Sequence, residues 1–419
     1  MEQMMGFDTG YAKFTGEDRE DNARRAVAKL RGDFQGLKPI SVFFFAATNY
    51  DPLVLAREFK TAFPSAQTWG CASGGELTKG AMRRQTVTAM AFGPDDLEMI
   101  EVVSASGCDR DKAAADRLFA EMAGRTGLNM GDLDFREYVG FLLLDGLAKY
   151  NDQLVERMGE LTDVIIGGGC ASDDGLFRKT PVFHDGAALD NGAVFALMKP
   201  SRGFAFLKTQ NVEPTGKSLV ATWADSNQRI IWEFDEKPAL PAFAEAIGFN
   251  LINGDFDQKE KSVHELLHNV FSKNRLAAEP ESVAREGITV DALVEKMIEW
   301  PLALIIGGEP YIRVAVAAAE NGGIRTYLPP IEGLRYSITR TTNLIESTRN
   351  ALDRKRRELG SLSAVMGCNC MLRQMIAHTQ NSVREYGELF KDVNAAILDS
   401  YGEVYVSVFS QSTSLILFA

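Results

Sequence analysis

Short apolar runs closed by turn residues alternate along this chain with stretches whose apolar positions fall three or four apart. Runs of about five apolar residues between turn signals, such as those centred on Phe44 and Leu143, read as buried strands. After the first comes DPLVLAREFKTAF, with Asp51 placed to cap a helix, Pro52 in its first turn, and Leu53, Leu55, Phe59 and Phe63 spaced to form one face. AQTWGC follows as a strand, then a glycine-rich turn and an antiparallel pair ending in TVTAMAFG.

The same order returns. Gly-Cys-Ala-Ser at 70–73 recurs at 169–172, and the offset of 99 that carries Cys71 to Cys170 also carries Phe43, Phe44 and Phe45 onto Leu142, Leu143 and Leu144. A fainter third copy runs from SLSAVMGC (361–368), through a stretch of helical pattern (370–398), into a Gly402-Glu403 turn and two closing strands, with Gly402-Glu403 standing where Gly75-Glu76 stands in the first. Self-similarity of this kind marks a repeated unit. The expected class is α/β with mixed (α+β) sheets, built from duplicated β-α-β-β-β units with a degenerate third copy at the C-terminus. PVFHDGAALDNGAVFAL reads as a hairpin with Asp-Gly and Asn-Gly turns; residues 240–300 read as helical and 301–339 as short strands.

The expected division is an N-terminal extension (1–24), a part at 25–238 holding repeats at about 38–115 and 136–200, and a part at 239–419. Composition adds less. With 419 residues, 45% hydrophobic and 24% charged, the chain suits a multi-domain globular protein, and a net charge of −12 argues against nucleic acid or an anionic membrane as partner. No membrane span or secretory signal is expected. Five cysteines fit free thiols in a reducing cytoplasm better than a disulfide framework.

Candidate chemistry gathers at the turns. Cys71 and Cys170 have the setting of a nucleophile or of ligand-lining thiols, but no histidine stands in a context that marks it as their base, and small residues also serve close backbone approach; no catalytic residue is assigned. Ser73, Glu76, Ser172, Asp173, Asp174 and Glu403 occupy turns at the ends of equivalent strands, where ligands collect in open sheets. With Arg178 and Arg373 nearby, these turns suit an amino acid or a similar zwitterion, Arg373 holding the carboxylate. His264-Glu265-Leu-Leu-His268 matches the H-E-x-x-H pattern of a zinc-dependent hydrolase, in which the two histidines would hold zinc and Glu265 would act as base, with a plain amphipathic helix as the alternative.

The whole succession resembles the FIST (F-box and intracellular signal transduction) family. GCASGGE, GGGCASDDGLFRKTPVFHDGAALDNGAVFALM, VEPTGKSLVATWADSNQRIIWEFDEKPALPAF, CNCMLRQ and DSYGEVYVSVFSQSTSLILF are similar to its elements in order and spacing, from about residue 25 onward. The last strand departs, with Ser410-Gln411-Ser412-Thr413 where the family would place an asparagine near the threonine. The resemblance implies a bacterial intracellular sensor that signals to a separate output protein of histidine kinase, cyclase or chemoreceptor type, with a homodimer left open. It also brings in haem b and nitric oxide sensing; His184 and His378 are then the axial candidates, and the absence of C-x-x-C-H makes attachment non-covalent.

Overall fold

The structure, a computed structural model, describes residues 7–108, 113–251 and 287–419. It contains three units of one design. The first runs Asp8–Ala12, helix Arg19–Asp33, Ser41–Ala46, helix Pro52–Ala62, Gln67–Ala72, the hairpin Glu76–Thr78/Ala81–Arg83 and Val87–Phe92. The second repeats the order from Leu97–Ala105 to Ala193–Pro200, with helices Ala114–Thr126 and Asn151–Leu161 and the hairpin Val182–His184/Ala187–Leu189. The third takes Phe204–Gln210, helix Leu344–Leu359, Ala364–Cys370, helices Met371–Thr379 and Val383–Glu388, Asn394–Ser400, the hairpin Gly402–Tyr405/Ser407–Phe409 and Ser412–Phe418. Each unit therefore opens with a strand and helix beyond the β-α-β-β-β pattern. In the first unit these fall partly inside the stretch read as an extension. The stretch read as helical at 370–398 turns into a strand at Asn394.

Local chemistry sets several boundaries. Asp51 caps the helix Pro52–Ala62 by accepting from the N–H groups of Leu53 and Val54, and Gly127 closes Ala114–Thr126 in the left-handed conformation.

The units are tied by exchange. Each contributes four strands to a six-stranded sheet, and the last two places are filled by the hairpin of another unit. The second unit's hairpin lies on the first unit's Gln67–Ala72, the third unit's on Ile166–Cys170, and the first unit's on Asn394–Ser400. The cycle closes, giving an approximate three-fold arrangement. One face of every sheet turns inward to a shared core in which Phe43, Phe45 and Trp69 meet Phe141, Leu143, Met366, Cys368 and Ile416. The Phe43 and Phe141 rings, 5.5 Å apart, join two units there. Each such buried aromatic contributes about 1.5–3 kcal/mol through removal from water. Helices cover the outer faces.

Register fixes which residues are equivalent. Phe45 pairs with Cys71, Leu143 with Gly169 and Cys368 with Leu398, all facing the shared core. The spatial offset between the first two units is therefore 98, one less than the offset of the Gly-Cys-Ala-Ser repeat. One residue of slip reverses the face: Cys71 points to the shared core, whereas Cys170 belongs to the helix-side core. The equivalent pair is Gly70 and Gly168, where an added Cβ would lie 1.5 Å from the carbonyl oxygen of Phe44 and 1.9 Å from that of Leu142. Close approach of parallel strands thus explains these glycines.

The third unit is interrupted after Phe204–Gln210 by an inserted segment, 212–341, whose described residues form a sheet with strands such as Val212–Asp225, Leu302–Ile306 and Arg335–Thr341 and include the helices Ala239–Ile247 and Val290–Glu299. The expected boundary at 238/239 falls inside it. The insert leaves and re-enters at adjacent strands, where Val212 pairs with Thr341. No described helix is long and apolar enough to cross a membrane.

Candidate functional site

The parallel strands of all three units end at one pole of the three-fold arrangement, and the turns that follow them interlock. Ser172 stands at the junction: its N–H donates to the Ala72 carbonyl (3.2 Å), its Oγ accepts from the Gly74 N–H (2.8 Å) and donates to the Asp399 carbonyl. The Asp399 N–H in turn donates to the Gly75 carbonyl at 2.8 Å, and the Tyr401 N–H to the Cys170 carbonyl at 3.0 Å. One hydroxyl thus links turns from all three units.

Gly74 and Gly75 lie where these units press together. A Cβ on Gly74 would meet the Met371 methyl at 2.5 Å and the Asp174 N–H nitrogen at 3.2 Å. On Gly75 it would meet Asp399 Oδ2 at 2.5 Å and Gln374 Nε2 at 2.8 Å. Asp399 Oδ1 accepts from Asn369 Nδ2 (2.7 Å), but neither Asp399 Oδ2 nor Gln374 Oε1 has a partner among the described residues. Burial pushes the Asp399 carboxyl up to about 7.

On the axis side, register makes Glu76, Glu403 and Val182 equivalent, since they pair with Leu398, Gly169 and Cys71. Thr86 donates to Glu76 Oε2, leaving Oε1 without a partner among the described residues. Glu403 is better satisfied, by Ser400 Oγ (2.7 Å), Ser412 Oγ (2.7 Å) and the Ser412 N–H (3.2 Å). Burial raises both carboxyls, that of Glu403 to about 7.

The other predicted residues divide by role. Ser73 Oγ donates to the Gly75 carbonyl. Asp173 organises the second unit's turn by accepting from the N–H groups of Phe177, Arg178 and Lys179 and from the Tyr401 hydroxyl. Asp174 reaches the first unit, accepting from Thr48 Oγ1 at 2.6 Å and standing 3.7 Å from Arg84. Arg178 contributes its backbone N–H to Asp173. Arg373 is buried one turn into its helix, donating to Asn211 Oδ1 (3.1 Å) and Thr348 Oγ1 (2.8 Å), so its terminal nitrogens hold the root of the inserted sheet. All five cysteines are free and buried, and burial lifts the Cys71 and Cys170 thiols away from the reactive thiolate.

Sequence reading missed Asp145, Asn369, Gln374 and Asp399. Asp145 follows the second unit's strand Val139–Leu144, accepting from Thr180 Oγ1 and the Asn191 N–H. The available signal was an aspartate ending an otherwise apolar run, in LLLD and in AILD.

The haem candidates belong to different units, His184 to the second unit's hairpin and His378 to the third unit's helix Met371–Thr379. His184 Nδ1 meets Ser104 Oγ at 2.9 Å, Nε2 has no partner among the described residues, and the charged groups acting on the ring are Asp185, Arg125, Glu121 and Glu101. His378 sits in the last turn of Met371–Thr379. His264, Glu265 and His268 lie outside the described residues. Among the described residues no three His, Cys, Asp or Glu side chains gather as metal ligands do.

The family model of the FIST N domain matches residues 41–237, and that of the FIST C domain matches 273–406. An uncharacterised protein of Methanocaldococcus jannaschii is 24% identical over 194 residues, 45% of this chain and 36% of that protein, so the match spans about a third of its length.

Proposed function

We propose, from the premise that the chain belongs to the FIST family of sensory signal-transduction domains, that it binds a small ligand at the pole where the three turns interlock and passes the event to a separate output protein in the cytoplasm. The observation that carries this reading is the set of buried polar atoms around Gly75 without partners among the described residues: Asp399 Oδ2 and Gln374 Oε1 on the helix side and Glu76 Oε1 on the axis side. An unsatisfied buried polar group costs about 1–3 kcal/mol, which a ligand supplying donors would recover. An ammonium suits the two carboxyls, and Arg84, beside Asp174, is placed for a ligand carboxylate in the role that the sequence suggested for Arg373. A zwitterion such as an amino acid therefore matches the site. Because the turns belong to different units, a ligand that binds one arrangement of them more tightly shifts the population toward it. A histidine kinase, cyclase or chemoreceptor would read that shift.

The test is a thermal-shift and calorimetric screen of the twenty amino acids on the full chain, repeated with Asp399→Asn and Arg84→Gln. At least one amino acid raises the melting temperature, and each variant weakens its binding about tenfold or more, a loss of roughly 1.4 kcal/mol. Unchanged binding in both variants removes the site. An absorption spectrum of fresh protein checks the haem alternative directly, through a Soret band.

A further inference from the structure

Beside the polar cluster lies a cavity of about 40 Å³, several times the roughly 10–15 Å³ that one water requires. Phe177 and Tyr401, with rings stacked 4.3 Å apart, belong to the second and third units' turns. Val316 and Tyr327 come from the inserted segment, and Met371, Ser400 and Ser410 of the third unit line it as well. Met371 separates the cavity from the polar cluster, since its methyl lies against Gly74.

The lining carries no charged side chain. Its polar atoms are almost all committed: the Tyr401 hydroxyl to Asp173, the Tyr327 hydroxyl to the Gly146 carbonyl, and Ser400 Oγ to Glu403. Ser410 differs, being 1% exposed with an Oγ that has no partner among the described residues. A charged group would be desolvated here without compensation, whereas a small apolar body with one hydrogen-bonding head would be satisfied.

We propose that this cavity is a ligand subsite for a compact, uncharged, mainly apolar group bearing a single polar head directed at Ser410, and that its occupancy is transmitted to the inserted sheet. The inference rests on the sensor reading and locates the apolar part of the ligand. Transmission follows from a single helix. Met371 opens Met371–Thr379 and lines the cavity; Leu372 packs against the insert's apolar cluster of Ala303, Ile312 and Val314; Arg373 holds Asn211, next to the strand by which the insert departs. Methionine, flexible and polarizable, is suited to move aside as the cavity fills. The shift then travels two residues along a rigid helix to the guanidinium at the insert's root. Arg373 acts here as a positioning residue.

The experiment uses full-length protein labelled at the methionine methyls, with the Met371 signal assigned through Met371→Leu, and three probes of one shape: 2-methylpropan-1-ol, 2-methylpropan-1-amine and isobutyrate. The alcohol shifts the Met371 signal saturably and binds at least about tenfold more tightly than either charged probe, a difference of about 1.4 kcal/mol. Val316→Phe, which fills the cavity from a half-buried position, abolishes the shift, and Ser410→Ala weakens binding roughly fivefold while leaving the fold in place. With the alcohol bound, hydrogen exchange slows at 302–306 and 335–341; in Arg373→Lys the alcohol binds within about twofold of the parent but that slowing disappears. Equal binding of the charged probes, no response to the alcohol, or a shift that survives Val316→Phe overturns the subsite. Unaltered exchange coupling in Arg373→Lys overturns the transmission. Stabilisation by charged amino acids without any effect of the alcohol removes this inference and leaves the sensor reading standing.

Discussion

Two corners of the three-fold core carry a glutamate facing a hydroxyl, and the third carries a valine facing a glycine. Glu76 meets Thr86 and Glu403 meets Ser412, while at the corresponding place a Cβ on Gly192 would lie 3.0 Å from Val182. The backbone register is the same at all three. The fold therefore does not require carboxylates there, because the second unit closes the same corner with hydrocarbon. Two carboxyls are thus held here against a desolvation penalty that stability alone does not explain. Glu403 is fully hydrogen-bonded and Glu76 half so, which makes the first unit's corner the more open to a ligand.

The largest effect comes from making the apolar corner resemble the others. Val182→Glu places a carboxyl where Cys71 and Gly192 offer no hydroxyl, and should cost roughly 4 kcal/mol or more by denaturant unfolding. Adding Gly192→Ser supplies the missing donor and should return about 1 kcal/mol in a double-mutant cycle. If Val182→Glu alone is tolerated, the corner holds more polar capacity than its lining indicates, and the contrast between corners collapses.

Glu403→Gln tests the penalty itself. Burial holds the Glu403 carboxyl at about 7, so from about pH 4.3 up to that value the folded chain keeps a proton that the unfolded chain has released. The contribution is intact below that window and is lost as pH rises through 7. Glutamine removes the ionisation, so the variant should match the parent near pH 4 and exceed it by about 3.5 kcal/mol at pH 8. A parent whose stability is flat from pH 5 to 8 at this position would show that Glu403 is ionised without penalty.

How much of this was written in the sequence follows from the range of each interaction. The Asp51-capped helix, the strands around Phe44 and Leu143 and the 182–189 hairpin are specified within a dozen residues, and all were legible. The third copy was legible through Gly402-Glu403. The exchange of hairpins was not, because it pairs Glu76 with Leu398 and Val182 with Cys71, and no local pattern encodes such partners. The repeated Gly-Cys-Ala-Ser was also misleading by one position, since sequence identity reports composition while the face is set by strand pairing. Helix Arg19–Asp33 escaped notice because its inward stripe is largely alanine, Ala23 and Ala26 beside Val27 and Leu30, among many charges. At the site, Ser73, Glu76, Ser172, Asp174 and Glu403 were identified by position at strand ends, and the structure brings their turns together. Arg373 drew attention through CNCMLRQ and stands at the insert's root, a contact with Asn211 from a distant strand that spacing cannot show.

The smallest effects separate the two polar corners from each other. Thr86→Val removes the one hydroxyl donor that Glu76 has among the described residues, so both oxygens are then without a partner there, and the loss should be about 1.5 kcal/mol. Ser412→Ala leaves Glu403 with Ser400 Oγ and the backbone N–H of residue 412, and should cost only about 0.5 kcal/mol. The inequality matters more than either value, because it follows from the number of remaining donors and not from burial, which is the same at both. If the two substitutions cost the same in urea unfolding, Glu76 has a second donor, and the first unit's corner is as closed as the third's.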